Sequence, residues 1–236
     1  NDEGVVERAA AHVGQRRDLD IAALQILGVG VRAEHLEQRV VQRAQIRVDL
    51  LAQIAGQESE LFARRGPLWE WYRKVGFTCD FLHYGSPAER LVASVPRDRR
   101  VILVHNCCVT QRDIDVVMNH FTTSVRWCLC PRSNRYISRL EPPVELLRRN
   151  RLDICLGTDS LASNDRLSVF EEMRMFPEVP LPELLSWAAE GGARALDMDA
   201  ELGEVAPGRR CGLTVISGLD YDTMRLTPAS RIRRIL

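Results

Sequence analysis

Short apolar runs alternate with amphipathic stretches from about residue 59 onward. The continuous apolar runs are typical of strands buried on both faces of a parallel sheet, and they predict strands at 100–105, 124–130 and 152–157. The amphipathic stretches predict helices at 59–74, 110–121, 144–150, 165–176 and 182–196. Thr110 suits the N-cap of its helix and Asp113 suits the first turn. Strand–helix alternation with short links predicts a parallel α/β architecture.

The first fifty residues differ from the rest of the chain in composition. They contain no Phe, Trp, Tyr, Ser, Thr, Pro, Cys, Met or Lys, although a natural domain of that length uses more kinds of turn and core residue. Two interpretations stay open: stretches such as 21–27 and 36–43 form amphipathic helices, or the segment is an out-of-frame or rearranged translation. We favour the second, and we expect residues 1–50 to lie outside the fold.

Composition and charge narrow the class of protein. A hydrophobic fraction of 45% and a net charge of zero are ordinary for a globular protein and give no reason to expect a nucleic-acid or membrane partner. No apolar run approaches the ~20 residues of a membrane helix. The chain begins at Asn1 without a signal-peptide pattern, and its seven cysteines suit a reducing compartment. We therefore expect a cytoplasmic protein.

Polar side chains follow each of the three predicted strands. His105 ends the first, Asn134 lies just beyond the second, and Asp159 and Ser160 follow the third. Because the carboxyl ends of parallel strands share one edge of the sheet, we expect these side chains to converge. A histidine and a carboxylate that converge can bind a metal or perform acid–base chemistry.

Each of these residues also has a structural interpretation. A single histidine at a strand end is more often a hydrogen-bonded structural residue than a ligand. Residues 158–160 are compatible with a helix cap, and Ser133 with Asn134 is compatible with an Asx-type turn. The order and spacing of all three segments together favour the functional interpretation.

Four cysteines lie near the ends of the first two predicted strands. Cys107 and Cys108 are adjacent, and Cys128 and Cys130 share one strand face by the two-residue period. Their spacing matches no common zinc motif. We interpret them as small buried apolar residues.

Five sequence motifs together resemble the amidohydrolase superfamily, in the branch that holds chlorohydrolases and guanine, adenosine-type and aminofutalosine-type deaminases. They are V-H-N at 104–106, C-P-x-S-N at 130–134, L-G-T-D-S-x-A-S-N at 156–164, G-G-A-R-A-L at 191–196 and G-E-V-A-P-G at 203–208. The resemblance runs from about residue 57 to the end of the chain. It implies a (β/α)8 TIM barrel with a small β-sandwich, of which 56–198 would be the C-terminal part of the barrel and 199–236 a sandwich remnant. Residues 1–55 would be the atypical, out-of-frame or disordered segment.

The resemblance also implies a chemistry and a role for each matched residue. A divalent metal, usually zinc, activates a water that attacks an sp² carbon and displaces ammonia or another leaving group. Asp159 would be a metal ligand and the base for the water's proton, and His105 would hold the hydroxide or polarise the substrate. Glu58 would pass a proton to the leaving nitrogen, while Asn134 and Ser160 would line the pocket of a purine-like or other amine-bearing heterocycle.

The sequence departs from the family at the remaining metal ligands. It has no His-x-His pair, His12 and His35 are isolated, and Ala55 stands where a histidine is expected three residues before Glu58. A zinc site needs about three protein ligands. We therefore expect a truncated C-terminal fragment with weak or no zinc binding and no catalysis. The alternative is a non-catalytic homologue that serves as a binding or scaffold module; homo-oligomer formation stays open.

Overall fold

The computed structural model describes residues 45–48, 61–76, 83–209 and 212–235. Its main sheet has four parallel strands, which are neighbours in the order of the chain. They are β1 (Gln45–Val48), β2 (Arg100–Val104), β3 (Val125–Leu129) and β4 (Ile154–Leu156). Parallel neighbours need a crossover connection between them, and helices supply it from β2 onward. The predicted parallel α/β architecture is thereby confirmed.

The helices follow the strands in the expected alternation. They are α1 (Gly66–Lys74), α2 (Pro87–Ser94), α3 (Gln111–His120), α4 (Pro131–Ile137), α5 (Val144–Arg149), α6 (Val169–Met173), α7 (Leu181–Leu185), a π-helical turn (Ser186–Gly191) and α8 (Gly192–Ala195). Alternate strand residues, such as Leu103, Trp127 and Ile154, join a core with helix residues such as Ile114 and Leu184. Burial of this apolar surface holds the helices against the sheet.

The helix α3 begins where the sequence predicts. The Thr110 hydroxyl accepts a hydrogen bond from the Asp113 backbone N–H, and the Asp113 carboxylate accepts one from the Thr110 backbone N–H. This reciprocal cap satisfies two backbone donors that would otherwise lack partners. The apolar stripe of α3, including Ile114 and Val117, is buried against the sheet.

The structure corrects several predicted elements. Pro131, which directly follows the predicted strand 124–130, begins α4, because proline suits the first turn of a helix. Ser133 and Asn134 therefore lie in a helix, and their interpretation as an Asx-type turn is wrong. Turns at 63–64 divide the predicted helix 59–74, and the predicted helix 165–176 is reduced to α6.

Gly191 allows the π-helical turn to pack directly on β4. A Cβ at this position would lie 2.3 Å from the Ile154 carbonyl oxygen and 3.3 Å from the Cys155 Cα. Because a 2.3 Å approach is far below van der Waals contact, only glycine fits here. The close packing fixes the position of β4, which precedes the loop of Asp159.

A second sheet lies near the end of the chain. It consists of the antiparallel strands β5 (Thr214–Asp220) and β6 (Arg225–Arg234). Two strands alone are marginally stable in water, but Leu219 and Leu226 pack against the main core. This sheet falls within the range 199–236 that the resemblance assigns to a sandwich remnant.

The strand β1 lies inside the compositionally distinct segment. It pairs in parallel with β2, with Ile46 opposite Val101. These four residues therefore belong to the sheet, against the expectation that residues 1–50 lie outside the fold. The other residues of the range 1–50 lie outside the described residues, and so do Ala55 and Glu58.

No helix in the part of the chain covered by the structure is long and apolar enough to cross a membrane.

Candidate functional site

Three of the predicted site residues meet at the carboxyl ends of β2, β3 and β4. The Nδ1 atom of His105 lies 2.6 Å from the Oδ1 atom of Asn134. The Nε2 atom of the same imidazole lies 4.0 Å from Oδ2 of Asp159. The predicted convergence is confirmed, and the three side chains together form what we call the rim.

The backbone at the rim is strained. His105, Asn106 and Asp159 have φ values of 75°, 56° and 57°, a left-handed conformation that costs a non-glycine residue of order 1–3 kcal/mol. Side-chain hydrogen bonds hold the backbone turn at 105–106, which follows β2. The Asn106 amide donates to the carbonyl oxygens of Leu103 and Cys128 at 2.9 and 3.3 Å. Strain of this kind is concentrated at functional sites.

Asn134 determines the tautomer of His105. With the amide oxygen of Asn134 facing Nδ1, the proton of a neutral imidazole lies on Nδ1 and donates to that oxygen. Nε2 then presents a lone pair on the side of Asp159. Both side chains are almost wholly buried, with 1% exposure each, so the arrangement is fixed by packing as well as by the hydrogen bond.

Two serine hydroxyls hold the carboxylate of Asp159. Ser133 donates to Oδ2 at 2.6 Å and Ser163 donates to the same oxygen at 2.7 Å. Burial alone raises the pKa of Asp159, but the hydrogen bonds from Ser133 and Ser163, together with the charge of His105 when its imidazole is protonated, outweigh it and lower the pKa below its ordinary value. Asp159 is therefore ionised at neutral pH.

The remaining predicted site residues have other positions. The Ser160 hydroxyl accepts a hydrogen bond from the Ala162 backbone N–H at 3.3 Å, which stabilises the loop after β4. Glu58 lies outside the described residues. Ser133 and Ser163, which contact Asp159 directly, were not predicted for this role. Both occur inside the quoted motifs, and that placement is the signal that could have identified them.

A second carboxylate, also not predicted, is buried beside the rim. Glu172 is 0% exposed and accepts hydrogen bonds from the Arg132 backbone N–H and the Asn164 side-chain amide. Burial raises the pKa of Glu172, and these hydrogen bonds only partly oppose the rise. The sequence shows two adjacent glutamates here, and nothing in the pattern indicates which of them is buried.

The cysteines below the rim fit a packing role. Hydrogen bonding with Cys128, followed by burial, raises the pKa values of Cys130 and Cys155 well above that of an ordinary thiol. Burial, with the neighbouring Cys108, raises the pKa of Cys107 to about 12. These thiols therefore stay protonated. Of the four cysteines predicted to be buried, Cys130 is buried, whereas Cys107, Cys108 and Cys128 are only half-buried.

The rim offers two donors for a metal. His105 Nε2 and Asp159 Oδ2 are close enough to bind the same metal ion. A zinc site in an enzyme, however, has about three protein ligands. Within the described ranges, no group of three or more His, Cys, Asp and Glu side chains could hold a metal ion. The described donors therefore do not complete a zinc site.

Comparisons with known proteins identify the family. The sequence pattern of the amidohydrolase family matches residues 70–232, and the chain belongs to that family. It is 31% identical over 137 residues to the 5-methylthioadenosine/S-adenosylhomocysteine deaminase of Halobacterium salinarum, covering 53% of this chain and 30% of the relative. The 5'-deoxyadenosine deaminase of Methanothermobacter thermautotrophicus is 28% identical over 146 residues, with 57% and 33% covered. The chain thus spans about a third of the length of these relatives.

Solved structures agree at the level of the fold. The aminofutalosine deaminase of Helicobacter pylori, in complex with methylthio-coformycin, matches with a TM-score of 0.57 at 23% identity, over 78% of this chain and 45% of the other. A zinc-bound adenosine deaminase from Xanthomonas campestris matches with a TM-score of 0.54 at 23% identity, over 78% and 39%. The resemblance inferred from the motifs is confirmed.

Proposed function

We propose that His105, Asn134 and Asp159 form part of the catalytic rim of a metal-dependent deaminase. The observation that carries the proposal is the buried imidazole whose Nε2 lies 4.0 Å from the ionised carboxylate of Asp159. The substrate class is a purine-like nucleoside carrying an exocyclic amine. The deaminase activities named for the matching relatives support this class.

The chemistry divides between the two groups at the rim. Hydrolytic deamination requires a water to lose a proton and the leaving nitrogen to gain one. Asp159, ionised and held by two hydroxyls, accepts the proton of the water. His105, fixed in its tautomer by Asn134, accepts a hydrogen bond at Nε2 and so orients that water. We propose Glu58 as the proton donor to the leaving nitrogen.

Asn134 is proposed as a substrate-binding residue, together with Ser160. The Oδ1 atom of Asn134 faces His105, but the Nδ2 atom of Asn134 is buried without a hydrogen-bond partner in the described part of the protein. Buried amide donors are nearly always satisfied, so a ring nitrogen or a ribose oxygen of a bound nucleoside is a suitable acceptor.

The sheet is proposed to be an arc of a (β/α)8 barrel. Two observations support this: the parallel strands are neighbours in chain order, and helices cover one of their faces. We retain the division into an atypical segment (1–55), a barrel portion (56–198) and a sandwich remnant (199–236) as part of the proposal. The second sheet lies within the last of these ranges.

The chain by itself is proposed to bind zinc weakly and to lack turnover. A carboxylate and one imidazole leave zinc mostly hydrated, with too few fixed ligands to orient a water against a substrate carbon. Ala55 at an expected ligand position also favours the second candidate, a non-catalytic homologue that serves as a binding or scaffold module.

Nucleoside binding by two asparagine variants tests the role of the rim. We expect the purified chain to bind 5-methylthioadenosine weakly, measured by ligand-observed NMR. Asn134→Asp keeps an oxygen for His105 but replaces the N–H donor, so binding should be lost. Asn150→Asp is the matched control: its side chain bonds to Gln111 on a surface helix, and binding should persist.

Two outcomes contradict the proposal. Equal binding by the two variants would remove Asn134 from the pocket and favour a scaffold whose ligand lies elsewhere. No nucleoside binding by the unmodified chain would contradict the assignment of the substrate class.

A further inference from the structure

We propose that Glu172 is a positioning residue that keeps the two hydroxyls of Ser133 and Ser163 aligned on Asp159. The importance of this alignment for catalysis rests on the proposed function. The alignment itself is a property of the fold and is tested without any turnover.

The two oxygens of Glu172 contact two different segments of the rim. Oε2 accepts a hydrogen bond at 3.0 Å from the backbone N–H of Arg132, in the first turn of α4. Oε1 accepts one at 2.7 Å from the side-chain amide of Asn164, in the loop after β4. The Asn164 amide nitrogen also donates to the Thr158 carbonyl oxygen at 2.8 Å, which closes that loop. One carboxylate therefore joins α4 to the loop.

Each partner of Glu172 is the chain neighbour of a serine that binds Asp159. Arg132 precedes Ser133, and Asn164 follows Ser163. The two hydroxyl oxygens lie 2.9 Å apart and converge on one oxygen of Asp159. Because a peptide unit transmits displacement to the next residue, movement of either partner of Glu172 would withdraw one hydroxyl from Asp159.

The free-energy cost of burying the Glu172 carboxylate also supports a positioning role. The side chain has no exposed surface, and Phe170 and Met173 of the same helix α6 are buried as well. Its nearest cationic group is the Arg132 guanidinium, with Nε 3.9 Å from Oε1. A buried charge adds little net stability compared with an apolar residue of similar size. A carboxylate at this position is better explained by its two acceptor oxygens, which can receive two donors from opposite segments.

The variant Glu172→Gln tests the role of the second oxygen. Glutamine has the same shape but only one acceptor, so either the Arg132 N–H or the Asn164 amide must face an N–H group. We expect amide hydrogen exchange in 132–134 or in 158–164 to accelerate by about tenfold or more, while α3 keeps its protection. The ¹⁵N signals of the His105 imidazole should also change, because Asn134 lies on the same helix as Arg132.

Glu171→Gln is the matched control. Glu171 is the preceding residue, and its carboxylate pairs with Arg174 instead of the rim. We expect this variant to leave both exchange and the His105 signals unchanged. Equal behaviour of the two glutamine variants, or acceleration spread evenly over α3 as well, would overturn the proposal and leave Glu172 as an ordinary core residue.

A second variant keeps the test decisive if Glu172→Gln does not fold. Asn164→Ala removes one partner of Glu172, together with the bond from Arg132 Nε to Asn164 Oδ1 at 3.2 Å, and leaves the bond from the Arg132 backbone N–H to Glu172 in place. Exchange should then accelerate in 158–163 and stay slow in 132–134. Loosening of both segments, or of neither, would contradict the proposed bridge. Neither readout needs zinc or substrate, so failure of this inference is distinguishable from failure of the proposed deaminase function.

Discussion

The hydroxyl of Ser133 lies 2.6 Å from Oδ2 of Asp159 and joins the first turn of α4 to the loop after β4. The two residues are 26 positions apart in the chain and follow neighbouring strands. Their contact shows that the rim is built from adjacent strand–helix units. It also explains why the carboxylate is ionised although it is largely buried.

Removal of a hydroxyl from Asp159 should destabilise the protein. We expect Ser133→Ala to lower the free energy of unfolding by about 1–2 kcal/mol, because a hydrogen bond to a buried charged group is lost. Urea denaturation of the two proteins measures this difference. Ser217→Ala, at an exposed position of β5, is the control and should change the free energy by less than about 0.5 kcal/mol. Equal effects at the two positions would count against the contact.

The lowered pKa of Asp159 predicts a pH dependence of stability. A carboxyl group whose pKa is lower in the folded protein than in the unfolded chain stabilises the fold above its unfolded pKa. That contribution disappears as the pH falls through the lowered pKa of the folded state. The difference in unfolding free energy between the protein and Asp159→Asn should therefore be largest near neutral pH and shrink in acid. A difference that grows on acidification would show that the pKa is raised instead.

Adjacent glycines of the π-helical turn and α8 should respond in opposite directions to alanine. Gly191→Ala places a Cβ 2.3 Å from the Ile154 carbonyl oxygen, and we expect a loss of about 3 kcal/mol or more. At Gly192 a Cβ would meet nothing within 4 Å, and Gly192→Ala should stabilise the helix by about 0.5–1 kcal/mol. Thermal denaturation of both variants measures the contrast. Similar losses at both positions would contradict the packing of this turn on β4.

Sequence reasoning located the strands and helices whose hydrophobic pattern and capping residues lie within one short segment of the chain. The strand β2 is a continuous apolar run, and α3 combines an apolar stripe with a cap made by Thr110, so both were predicted within about a residue of their ends. His105 and Asp159 were found because every strand of a parallel sheet delivers its carboxyl end to the same edge. Their convergence follows from topology rather than from any contact visible in the sequence.

The features that sequence reasoning missed depend on tertiary contacts. Pro131 can end a strand or begin a helix, and the tertiary packing of the segment that follows β3 determines which of the two forms. Glu171 and Glu172 are indistinguishable in the sequence, yet one faces the rim and the other pairs with Arg174. The predicted helix 165–176 starts late because Asn164 holds the preceding loop against Thr158 and Glu172.

Ammonia release is the most direct test of the central claim, that the rim belongs to a deaminase site which this chain does not complete. Purified protein is dialysed, its zinc content is measured, and ammonia is followed with 5-methylthioadenosine as substrate. We expect less than one equivalent of zinc and no release above that of Asp159→Asn, and we expect Ala55→His alone to restore nothing, because the histidine pair is still missing. Stoichiometric zinc with steady ammonia release that Asp159→Asn abolishes would show instead that the chain assembles a complete site.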